Sequence, residues 1–303
     1  MPIHIKSISE FAQIAQQPGP RHPLIGIVNI SNIQQDGDFL PNRFSFGFYT
    51  IGLKINLKGY LKYGRTHYDF QEGVLVFTAP YQVLSFDHLL WGESRGWYLL
   101  FDRSLLAHTP LETVLDAYHF FSYQTKEALH LSKEEENQLY HIFTSLYDEY
   151  NKSIDTYSKE LLVSHLHMIL TYSKRYYERQ FILRRDTDSS LLTKFEQVLH
   201  RFCSPTYLDR EGIPTVKTIA SSLNLSPNYL SDALRSATGM GTQKHIHLHL
   251  MALTKTQLLH PGVSISEVAF TLGFESHTYF SRLFKKIEGV SPREYLEQHH
   301  SSN

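Results

Sequence analysis

The chain is 303 residues long, with 42% hydrophobic, 13% aromatic and 19% charged residues, enough for about two domains that each bury a core and too apolar for a disordered chain or a collagen-like repeat. Its single cysteine, Cys203, excludes a disulfide scaffold or a thiolate zinc site; no apolar run approaches the roughly 20 residues that cross a bilayer, and Met1 to Gln17 lacks the apolar core of a signal peptide, so a soluble protein of the reducing cytoplasm is expected. Lys plus Arg number 29 and Asp plus Glu 30, a balance that excludes no class of partner.

From Leu24 to Phe101 the residues read as short strands. Phe44, Phe46 and Phe48 alternate with small or polar residues, Ile51, Leu53 and Ile55 keep the period of two, and Gly73–Phe77 and Gly96–Phe101 are apolar runs entered through glycine. Strands at this spacing predict an antiparallel sandwich or small barrel. At Ser132 the period becomes helical. Leu139, Ile142, Phe143 and Leu146 form one stripe, and Leu162, Leu166, Ile169 and Leu170 form another on a segment reaching about Phe181. The second stripe is either a subunit interface or a face packed on the strands. Polar residues 184–190 read as a linker, and 191–303 as helix throughout. That last region holds eleven basic and nine acidic residues, so its position on the helices matters more than its net charge.

The C-terminal region repeats itself. Ile219-Ala220, Leu223 and Leu225 match Val268-Ala269, Leu272 and Phe274 at an offset of 49, and after one inserted residue Leu230-Ser231, Leu234-Arg235 and Gly239 match Phe280-Ser281, Phe284-Lys285 and Gly289 at an offset of 50. Each copy reads as helix, tight turn, helix. In the second copy Ser264 and Glu267 have capping-box spacing, Gly273 supplies the left-handed turn residue, and Ala269, like Ala220, is small where the helices cross. This is the helix-turn-helix pattern, whose second helix enters the major groove of DNA.

The second helices, about 226–236 and 276–287, divide into two faces. Tyr279, Phe280, Leu283, Phe284 and Ile287 are expected to face the core, with Thr278, Ser281, Arg282 and Lys285 opposite; in the first copy Leu230, Ala233, Leu234 and Ala237 are expected inside, with Asn228, Ser231, Asp232 and Arg235 outside. For one copy alone, a solvated amphipathic face explains the pattern as well. Thr242 to about Leu259 forms a connecting helix of roughly 27 Å, and one DNA turn is about 34 Å, so two such units fit successive major grooves.

The stretch Ile265–Tyr295, Ile-Ser-Glu-Val-Ala-Phe-Thr-Leu-Gly-Phe-Glu-Ser-His-Thr-Tyr-Phe-Ser-Arg-Leu-Phe-Lys-Lys-Ile-Glu-Gly-Val-Ser-Pro-Arg-Glu-Tyr, resembles the signature of the AraC/XylS family of transcriptional regulators. The resemblance covers about 191–297. It implies an α+β multidomain protein: a cupin-like regulatory domain over 1–130 built on a β-barrel or sandwich, a helical dimerisation segment over 131–183, the linker 184–190, and an all-α double helix-turn-helix domain over 191–303. It further implies a sequence-specific, homodimeric regulator of promoter DNA that responds to a small-molecule effector or partner and acts on RNA polymerase. The family's base-reading positions match Asn228, Ser231 and Asp232, then His277, Thr278 and Arg282. Arg282 suits guanine O6 and N7, Ser276 and Ser281 flank it, and Arg235, Lys285 and Lys286 suit the backbone. Three departures stand out: Asp232 occupies a place that is commonly basic, Thr242 replaces the usual proline that Pro292 supplies in the second unit, and Thr215 lacks an acidic partner at Thr218.

No enzyme signature occurs: neither a Gly-x-Ser-x-Gly elbow, a His-Glu-x-x-His helix, a phosphate loop nor a dinucleotide fingerprint. An alternative is a metal-dependent cupin-type enzyme or ligand-binding module with a vestigial DNA-binding domain, resting on His67, Asp69 and Glu72. A second histidine is missing there, and turn residues explain the motif. His245, His247 and His249 alternate on a helix, where only the outer two share a face. No catalytic residue, metal ligand or cofactor is therefore assigned. Phe44, Phe46, Phe48, Tyr49 and Trp97 are the aromatics from which an effector pocket would be drawn.

Overall fold

A computed structural model describes residues 3–32, 43–55, 73–85, 95–124, 127–187, 189–260 and 262–300. It divides into two compact units, 1–180 and 181–303, each treated by itself. Among the described residues no helix is long and apolar enough to cross a membrane.

The N-terminal unit contains strands β1 (Ile3–Ile5), β2 (Ile25–Asn29), β3 (Arg43–Phe46), β4 (Tyr49–Ile55), β5 (Val74–Thr78), β6 (Leu84–Ser85), β7 (Arg95–Phe101) and β8 (Leu129–His130), with short helices α1 (Ile8–Ile14) and α2 (Leu111–Val114), longer α3 (Lys133–Tyr150) and, as far as Gln180, α4 (Ser158–Thr187). Among the described residues the strands do not close into a barrel; they form a five-stranded antiparallel sheet, β2-β7-β4-β5-β8, and a three-stranded sheet, β1-β3-β6, in which β1 runs parallel to β3.

Alternation along central β4 assigns its two faces, and both are buried. Ile51, Leu53 and Ile55 share a face with Phe77 and Trp97, whose rings meet Phe120 at 4.3 Å and Tyr147 of α3 at 4.9 Å. The other face carries Thr50, Gly52 and Lys54 beside Tyr98 and Leu100. There Phe44 and Phe46 of the small sheet, and Phe48 in the bend after it, pack with Ile8 and Phe11 of α1. These three phenylalanines fill the core. Burial pushes the Tyr98 phenol up to about 12 and the Lys54 amine down to about 8.

Helix α3 starts at a capping box made by Ser132 and Glu135. Leu162, Leu166, Ile169 and Leu170 of α4 are buried within the chain's own unit, so that stripe packs inward and is not a free interface. Helix α4 also continues through Arg184–Thr187, residues whose polarity reads as a linker; none of them is Gly or Pro, and arginine propagates a helix readily.

The C-terminal unit is built from α5 (Ser189–Phe202), α6 (Pro205–Glu211), α7 (Val216–Ser222), α8 (Pro227–Thr238), α9 (Thr242–Leu258), α10 (Ile265–Thr271), α11 (His277–Glu288) and α12 (Pro292–His300). One core joins them, drawing Phe195 from α5, Leu230 from α8, Ile246 and Leu250 from α9 and Phe280 and Phe284 from α11. Helix α9 packs against α8 on one side of the repeat and against α10 and α11 on the other.

Candidate nucleic-acid interface

Each copy of the repeat folds as two helices around one tight turn. Helix α10 begins where Ser264 and Glu267 cap each other: the Glu267 N–H donates to Ser264 Oγ at 3.1 Å and the Ser264 N–H to Glu267 Oε2 at 2.8 Å, which holds that carboxyl below its ordinary value. Helix α7 has the weaker start read from Thr215, whose hydroxyl accepts from the Thr218 N–H at 3.1 Å without a reciprocal carboxylate. The turns close alike. The Phe274 N–H reaches Ala269 O at 3.0 Å and the Leu225 N–H reaches Ala220 O at 2.9 Å, the bond of a Schellman ending. Both alanines are fully buried at the crossing.

The left-handed residue is Gly273 in the second turn, with φ 78°, and Asn224 in the first, with φ 56°. Asparagine tolerates that conformation. Glycine is favoured at 273 for a second reason: a Cβ there would lie 3.0 Å from Gly212 Cα and 3.1 Å from Ile213 N, so the neighbouring backbone would have to shift by a few tenths of an ångström.

The second helices are capped identically. Ser226 and Ser276 accept from the N–H groups of Tyr229 and Tyr279, each at 3.3 Å, and α8 and α11 end at left-handed Gly239 and Gly289. Ser276 thus serves first as a helix cap. On α11, His277, Thr278, Arg282, Lys285 and Lys286 are exposed and Ser281 is half-buried; among the described residues the three cations have no ion-pair partner. On α8, Asn228 is exposed, but its neighbours are engaged in the fold. Asp232 pairs with Arg235 at 2.6 Å, Arg235 lies against Gly241, and the Ser231 hydroxyl donates to buried Thr242 at 3.0 Å. The hydroxyl at 242 therefore gives this junction a hydrogen bond that a proline could not.

A family described as a helix-turn-helix domain matches residues 219–298, spanning both repeats. An uncharacterized HTH-type transcriptional regulator of Escherichia coli, YijO, is 34% identical over 87 residues, covering 29% of this chain and 31% of that protein. The C-terminal unit is an AraC-type helix-turn-helix domain. The chain spans under a third of the length of the curated relatives it matches. Among solved structures, an AraC-type regulator from Chromobacterium violaceum is 18% identical with a TM-score of 0.32 over 37% of this chain and 95% of that one. ToxT from Vibrio cholerae is 16% identical with a TM-score of 0.29 over 90% and 98%.

One residue of the AraC-type domain departs from its expected face. Tyr279 is 52% exposed, whereas its repeat partner Tyr229 is 2% exposed, its ring meeting Phe181 at 5.1 Å. The core period puts Tyr279 inside, and the structure buries its repeat partner instead. Tyr279 therefore joins the exposed face of α11 beside His277 and Thr278, a member of that face the periodicity missed.

The histidines of α9 face the two units separately. His245 Nε2 lies 2.8 Å from Thr238 Oγ1 at the end of α8, while His247 bonds Gln243 at 2.8 Å and feels the charges of Lys244 and Lys286. His249 packs edge-on to His200, their rings 5.0 Å apart. Burial lowers the pKa of all three, helped by those lysines at His247 and by His200 at His249. Among the described residues no group of three His, Cys, Asp or Glu could hold a metal ion; His67, Asp69 and Glu72 lie outside the described residues.

Proposed function

We propose that this chain is a sequence-specific transcriptional regulator whose helices α8 and α11 enter adjacent major grooves of promoter DNA. The observation that carries this is the pair of matching turns on one shared core, with an unpaired cationic face on α11. Seventeen-residue α9 spans about 26 Å at 1.5 Å per residue, a strut on the scale of one DNA turn. Arg282 reads a base edge, Lys285 and Lys286 bind phosphates, and Asn228, Ser231, Asp232 and Arg235 give the first unit a weaker grip.

In this reading the N-terminal unit is an open, cupin-like regulatory domain over 1–130, and residues 131–183 join two copies of the chain. The seam is Leu161 and Met168, seven residues apart on α4 and 42% and 46% exposed, rather than the inward stripe of Leu162, Leu166 and Ile169. Two linked chains add their DNA contacts through effective concentration. An effector in the N-terminal unit shifts promoter occupancy or contact with RNA polymerase, in the cytoplasm. Selection of random duplex DNA by the full-length protein tests the central statement. One motif of two blocks about a helical turn apart is expected; absence of any enriched sequence overturns it. Sedimentation of Met168→Asp tests the seam, since a monomer is expected.

A further inference from the structure

Strand β2 is an edge of the five-stranded sheet. The Asp102 N–H donates to Leu24 O at 2.8 Å, which sets the phase of pairing with β7: Leu24, Gly26 and Val28 turn their backbone groups toward β7, and Ile27 and Asn29 turn theirs outward. Among the described residues nothing pairs with the outward N–H and C=O of Ile27. A cleft of about 410 Å³ lies along this edge, within the range of roughly 300–1,000 Å³ that small ligands occupy. Gly26, Ile27, Val28 and Asn29 all line it. Alternate side chains of a strand leave opposite faces, so four consecutive lining residues mean that the cleft follows the backbone edge. Phe11 of α1 forms an apolar wall and Tyr150, from the end of α3, a polar one. Arg21 also lines the cleft, held by its N–H donating to Tyr150 Oη at 2.8 Å and its Nη1 donating to Asn151 O at 3.0 Å. Among the described residues its Nη2 has no partner.

We propose that this cleft binds a short extended peptide with a free C-terminal carboxylate, whose backbone adds to β2 as a further strand and whose carboxylate pairs with Arg21. Main-chain groups at a strand edge recognise main-chain groups of an extended ligand, and a guanidinium recognises a carboxylate. Four residues of β2 span about 13 Å at 3.3 Å per residue, which sets the ligand at three to four residues. The assignment rests on the reading of this unit as a regulatory domain, because it names that domain's effector.

The probe is a synthetic library of tripeptides with free carboxylates, equilibrated with the full-length protein and separated by gel filtration, the retained peptides being identified by mass spectrometry. Retained sequences are remade as C-terminal amides and as backbone N-methylated forms. The amides, and the free acids against Arg21→Gln, are expected to bind about tenfold or more weakly, and N-methylation at the residue facing Ile27 to abolish retention. Retention of no peptide, or retention indifferent to both changes, overturns the proposal. Occupancy of the selected DNA is measured in the same samples. Peptide binding that leaves occupancy unchanged upholds the cleft and overturns the regulatory reading alone.

Discussion

The two helix-turn-helix units share their turn hydrogen bonds and their helix caps but not their surfaces. In both, a left-handed residue, a fully buried alanine and a serine cap are in place. On α8, however, the charges satisfy each other, Asp232 holding Arg235 across one turn, whereas the cations at the matching places on α11 are Arg282 and Lys285, exposed to solvent. Phe181 covers Tyr229, whereas Tyr279, its ring 6.1 Å from that of Phe274, stays 52% exposed. Backbone geometry was retained because each departure from it strains a turn or crowds a crossing. Exposed positions carry no such penalty, so they are where the units part, and under the function proposed above sequence reading falls chiefly to the second.

Five substitutions sharpen this contrast. The largest effect is expected at Gly273→Ala, where a strained φ and contact with Gly212 combine to cost about 2–4 kcal/mol of stability. Asn224→Ala, at the equivalent turn, should cost only about 1 kcal/mol. Urea denaturation of the full chain followed by circular dichroism measures both, and equal losses would mean that the Gly212 contact is immaterial. Next comes Arg282→Ala, expected to cost about 1–3 kcal/mol at a single base position, whereas Lys286→Ala should weaken all sequences alike. Binding profiles showing one uniform loss for both variants would dismiss the division of roles on α11. A smaller change is expected of Asp232→Asn. An exposed ion pair is worth about 1 kcal/mol or less, so its loss leaves the fold intact while releasing Arg235 toward phosphate. The salt dependence of DNA binding should then steepen by about one unit of slope; an unchanged slope would show that α8 lies away from the backbone.

Periodicity and self-similarity made much of this legible. The alternation of Phe44–Phe48 and Ile51–Ile55 placed strands correctly, and the repeat located both turns down to Gly273. The sheet arrangement was not legible, because β1 and α1 are too short to show a period and the pairing of Ile3–Ile5 with Phe44–Phe46 joins residues 41 apart. Of the aromatics from which a pocket would be drawn, Phe44, Phe46 and Phe48 are buried against one another, while the cleft of the N-terminal unit borders the β2 edge, which is defined by hydrogen bonds that composition does not reveal. Tyr279 escaped for a similar reason. Its exposure depends on the absence of a neighbour like Phe181, and periodicity within a helix carries no information about what packs on it. Asp232 and Arg235, three apart on one helix, were visible as neighbours; that their charges would be spent on each other was not drawn from the spacing.

The smallest expected effect separates the units by pH. Histidines of α9 sit beside both, His245 at Thr238 in the first and His247 near Lys286 in the second. Burial, chiefly, lowers both below their ordinary value of 6.5, and only His247 has lysine charges adding to that. With the folded-state value below the unfolded one, the unfolded chain binds more protons in acid. The stability these neutral histidines contribute is therefore complete above about pH 6.5 and is lost as pH falls through their folded-state values. At His247 part of that loss comes from placing a second cation near Lys286, so it should shrink in Lys286→Gln, while the loss at His245 should not. Hydrogen exchange of the full chain at pH 7.5 and 5.5, corrected for intrinsic rates, reads α8 and α11 separately. Acid should loosen α11 less in Lys286→Gln than in the parent chain, with α8 unchanged between them. Equal acid sensitivity of α11 in the two proteins would place the electrostatic coupling elsewhere and leave burial alone to account for His247.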